Sequence, residues 1–75
     1  MQETRLKKIE KTNIFATLNS FKAGDSEFIP YEKSKVETRT WDVRCRVLRK
    51  QGTLEGKYRF IKQENPRGTL IYRER

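Results

Sequence analysis

Lys35, Arg39, Arg46 and Arg49 recur at spacings of four, seven and three residues. Those intervals bring cationic side chains to one side of an α-helix. Arginine and lysine on such a face neutralise phosphates. Thr38, Arg39 and Asp42 lie nearer the start of the same stretch. Residue types of this kind can reach base edges when a helix enters a major groove. Three further arginines, Arg59, Arg67 and Arg73, follow in a segment that alternates polar and apolar residues. The chemistry on offer is ionic recognition of a polyanion.

Covalent chemistry has far less to work with. The chain has no histidine, so it lacks the usual general base and the commonest metal ligand. Its one cysteine, Cys45, falls among apolar positions and reads as core. Gly24-Asp25-Ser26 lacks the glycine spacing of a nucleophile or phosphate loop and reads as a turn. The expectation is a non-enzyme with no metal and no cofactor.

Several elements must position the charges. Ser34-Lys35-Val36-Glu37 has the S-x-x-E form of a capping box. It predicts a helix from Lys35 to Lys50, stopped near Gly52. Val36, Val43 and Val47 fall on one line of that helix, and Trp41, Cys45 and Leu48 on another. The two lines predict a broad buried arc with Thr40 and Arg44 between them. Residues 57–63 and 69–73 read as two strands of a hairpin, with 64–68 as its loop and Arg67 at the tip. Alternation then predicts Tyr58, Phe60, Leu70 and Tyr72 on one face, and Arg59, Ile61, Ile71 and Arg73 on the other. Residues 27–30 read as a short strand ended by Pro30. Residues 14–21 lean to a short helix capped by Asn13 or an irregular packed segment, although the same run also suits a short strand. Residues 1–12 read as a flexible basic arm ahead of a single domain over 13–75.

The expected fold is therefore α+β. One main amphipathic helix packs on a small antiparallel sheet. A helix followed by a two-stranded wing is also the C-terminal half of a winged-helix domain.

The charge distribution agrees with the motif reading. The chain of 75 residues has a net charge of +8, concentrated as +4 over residues 35–50 and +3 over 51–75, against −1 over 13–34. A field of that sign draws the chain to nucleic acid, with duplex DNA the leading partner. The alternative is a protein-interaction module that sets its charge against an acidic host protein, as a phage-encoded inhibitor does. A homodimer is the companion expectation, because one small copy gives weak specificity. A lone cysteine fits a reducing compartment, and no apolar run approaches a membrane span. The location expected is cytoplasmic, with no membrane partner.

Leu18 to Pro30 reads L-x-x-F-x-x-G-D-S-x-F-I-P. The basic helix follows, then G-K-Y-R-F from Gly56 and G-T-L-I-Y-R from Gly68. This pattern resembles short accessory proteins of bacteriophages and mobile elements. The resemblance implies an accessory role and transfers no site residues.

Overall fold

The structure, a computed structural model, describes residues 12–75. The basic arm expected over residues 1–12 lies, but for Thr12, outside the described residues. The elements run α1 (Ile14–Asn19), β1 (Ser26–Pro30), α2 (Tyr31–Ser34), α3 (Thr38–Lys50), β2 (Tyr58–Glu64) and β3 (Arg67–Arg73). The three strands form one antiparallel sheet in the order β1-β3-β2. The α+β fold with one main helix on a small sheet is the one expected.

Short-range chemistry accounts for most boundaries. Asn13 caps α1, its side-chain oxygen accepting from the Ala16 amide at 2.9 Å. Gly24 turns the chain with a φ of 90°, and the Asp25 carboxylate accepts from the Lys22 amide at 2.9 Å. Two short helices precede α3, of six and four residues.

Two expectations are corrected. The long helix begins at Thr38, not Lys35. Lys35 adopts the left-handed conformation, with φ 58°, and this ends α2. A right-handed helix cannot run through that residue. Ser34 is buried, and its hydroxyl accepts from the Val36 amide at 3.1 Å. Glu37 occupies the N-cap position without a capping bond, and its carboxylate pairs with Arg67 instead.

The hairpin turn is also tighter than expected. Glu64 pairs with Arg67, leaving only residues 65 and 66 between the strands. Tyr58 then opposes Arg73 and Phe60 opposes Ile71, while Arg59 opposes Tyr72 and Ile61 opposes Leu70. Opposed residues share a face, so the shorter loop shifts the register by one and exchanges the β3 face. Tyr58 and Phe60 lie with Ile71 and Arg73. Leu70 and Tyr72 lie with Arg59 and Ile61.

The core forms between α3, α1 and the inner face of the sheet. Leu18, Phe21, Trp41, Cys45, Leu48, Leu54, Tyr58 and Ile71 are buried in one cluster. The Tyr58 hydroxyl donates to the Leu18 carbonyl at 2.7 Å and ties the sheet to α1. Only one of the two apolar lines of α3 is buried. Val43 and Val47 are 47% and 38% exposed, and Arg44 is exposed rather than enclosed. A chain this short covers one side of its helix and leaves the other to solvent.

Candidate nucleic-acid interface

α3 turns about 100° per residue. Trp41, Cys45 and Leu48 point into the core. Arg39, Arg46 and Lys50 fall within about 40° of one another, roughly 150° from that buried line. All three are exposed. Arg49 lies about 80° to one side of this line and Arg44 about 140° to the other, beyond Val43 and Val47; both are exposed. Five basic residues therefore stand on α3 against one acid, Asp42. Asp42 holds Arg46 at 2.8 Å, four residues on. An exposed pair of this kind contributes about 0.3–0.5 kcal/mol, so a phosphate can replace it.

The start of α3 is committed differently. The Thr38 hydroxyl lies 2.6 Å from that of Thr69, which is buried on the central strand. This bond fixes the first turn of the helix against the turn end of the sheet. Thr38 is thus occupied structurally. We expect Thr69→Val alone to cost about 1–2 kcal/mol, because it strands a half-buried hydroxyl. Thr38→Val with Thr69→Val should cost less than the two single changes added together. Urea denaturation of the three variants measures the difference, and strict additivity would contradict the pairing.

Lys35 is not on α3. It sits in the turn before it, exposed, with its ammonium 5.8 Å from the centre of the Tyr31 ring. Arg67 is not a free hairpin tip. It pairs with Glu37, and its guanidinium lies 3.9 Å from the same ring. Tyr31, Glu37, Thr38, Lys62, Arg67 and Thr69 line a shallow notch there.

Arg73 is spent inside the fold. It donates to the Phe21 carbonyl at 2.6 Å and the Arg75 carbonyl at 2.9 Å, and faces the Tyr58 ring. Arg59 does not share a face with it, contrary to expectation. It points from the outer side of the sheet and pairs with Glu74 at 3.5 Å. Helix and hairpin therefore do not form one continuous basic surface. Arg39, Asp42, Arg46 and Arg49 are brought together on α3, whereas Arg59 faces the opposite way and Arg67 and Arg73 serve packing.

Lys50 was missing from the residues first singled out as binding candidates. Its spacing of eleven from Arg39 and four from Arg46 was the available signal. Lys62 beside the notch had no such signal, because strand pairing alone brings it there. Cys45 is buried on the inner side of α3. Burial pushes its thiol above the ordinary value of 9.0, Arg49 opposes the rise and Asp42 adds to it. The reactive thiolate is thereby disfavoured.

Set against protein-family models, curated proteins and solved structures, the chain matches none.

Proposed function

We propose that this chain is a small nucleic-acid-binding protein that lays the solvent face of α3 against duplex DNA. One observation carries the reading: Arg39, Arg46 and Lys50 form a cationic line opposite the core, with only Asp42 to offset it. A helix seated this way presents its charges while Trp41, Cys45 and Leu48 stay packed. Three residues separate α2 from α3, a helix-turn-helix spacing in which the second helix enters the major groove. Affinity comes mainly from phosphate neutralisation, with base contacts from the exposed residues of the first turns. In this reading the chain is a cytoplasmic accessory or regulatory protein of a phage or mobile element. Among the described residues no helix is long and apolar enough to cross a membrane.

Fluorescence anisotropy at low salt tests the ligand class. A duplex is expected to outcompete its own single strands and an RNA of the same sequence. No binding to any of them would end the reading.

A second reading rests on Val43 and Val47, which stand exposed beside the arginines. An apolar strip edged with positive charge also suits an acidic protein surface. A host partner that stays bound through nuclease treatment would favour it.

A further inference from the structure

The sheet has a second face that no described element covers. Its middle row runs Ile61, Leu70, Phe28 across the three strands, in direct register. The next row runs Arg59, Tyr72, Ser26. Ile61 is 43% exposed and Tyr72 38%, while Leu70 and Phe28 are half-buried. Among these six residues the one charge is Arg59, and Glu74 pairs with it. The chain as a whole is 37% charged, so this face is depleted of charge where α3 is rich in it. An aromatic and aliphatic centre free of net charge is the composition of an interface core.

We propose that two copies of this chain pack sheet to sheet through this face. Charge selects the occupant. Two chains of net charge +8 repel each other over most approaches. Here they meet without bringing like charges together. A two-fold axis along β3, midway between the sheets, sets Leu70 on the partner's Leu70 and Ile61 on the partner's Phe28. The same axis sets Arg59 over the partner's Ser26, away from the partner's Arg59. The contact is therefore self-complementary, as an isologous interface must be. Sheets packed face to face stand about 10 Å apart, with mean strand directions within about 30° of each other, as this axis keeps them. A polyanion finds little here, because the only cations beside the face, Arg59 and Lys57 at its rim, share the Glu74 carboxylate. The interface goes beyond the nucleic-acid reading and does not depend on it. It leaves both α3 helices on the outside of the dimer, with their solvent sides facing away from each other.

Sedimentation equilibrium of the full chain, without nucleic acid, tests the interface. Wild type is expected to show a concentration-dependent dimer. Ile61→Glu should sediment as a monomer with an unchanged circular-dichroism spectrum and melting temperature. Tyr72→Ser changes a second exposed position and should weaken the dimer even if Ile61→Glu disturbs the fold. Val43→Glu, on the opposite side, should leave the dimer intact. A wild-type chain that stays monomeric up to about 1 mM, the weak end of specific association, overturns the proposal. So does a dimer lost in Val43→Glu and kept in Ile61→Glu. A monomer whose binding to single-stranded DNA falls in Ile61→Glu and Tyr72→Ser also overturns it and gives the face to bases.

Discussion

Trp41→Ala is expected to leave the chain largely unfolded at room temperature. Trp41 is fully buried and joins α3 to α1 and the sheet in the single core cluster. Truncating a buried tryptophan to alanine costs about 3–5 kcal/mol in lost burial and residual cavity. Domains of this size have only about 3–5 kcal/mol to lose. The indole Nε1 is buried and meets no acceptor among the described residues, so no hydrogen bond enters the sum. The loss is one of packing. Val43→Ala on the solvent side of the same helix should change stability by no more than about 0.5 kcal/mol. Far-UV circular dichroism against urea reads both variants. A Trp41→Ala chain within about 1 kcal/mol of wild type would contradict the burial of this face.

Gly68→Ala is expected to destabilise by about 1–3 kcal/mol, the range for overpacking a tight site. The sign is informative, because alanine in place of glycine within a strand ordinarily stabilises by about 0.5–1 kcal/mol. Here a Cβ would stand 2.5 Å from the Ile29 carbonyl oxygen and 2.5 Å from the edge of the Phe28 ring. The ring can swing aside, but the carbonyl belongs to the backbone of β1. Relief requires β1 to move from β3, which loosens the pairing Pro30↔Gly68 and its neighbours. Chemical denaturation gives the change. A neutral or stabilised variant would mean that β1 does not approach Gly68 so closely.

The parts of this fold legible in the sequence are those fixed by local periodicity and turn chemistry. The α+β class, the main helix and a hairpin near the C-terminus all followed from apolar spacing and from the Asn-Pro-Arg-Gly run. The errors arose where one residue's backbone state decides a boundary. A left-handed Lys35 withdrew the first turn from the helix, although Ser34 and Glu37 had the spacing of a capping box. A two-residue turn shifted the strand register and moved Tyr72 to the outer face. Composition gives no warning of either.

The candidate site divides along the same line. The cationic line on α3 was legible because helical repetition alone sets it. The roles of Arg67 and Arg73 were not. Their partners, Glu37 and the Phe21 carbonyl, lie 30 and 52 residues away in sequence. No local pattern reports a contact at that distance. Counting arginines therefore overstated the basic footprint. The three-dimensional arrangement narrows it to α3.

The most direct test of that narrowed claim is the salt dependence of duplex binding. Log affinity falls against log salt with a slope of about −0.9 for each phosphate neutralised. Contacts from Arg39, Arg46 and Lys50 predict a wild-type slope of roughly −2.7. Arg39→Ala with Arg46→Ala should reduce its magnitude by about 1.8, while Arg59→Ala leaves it unchanged. A double variant that keeps both the affinity and the slope of wild type would contradict the assignment of α3 as the binding surface.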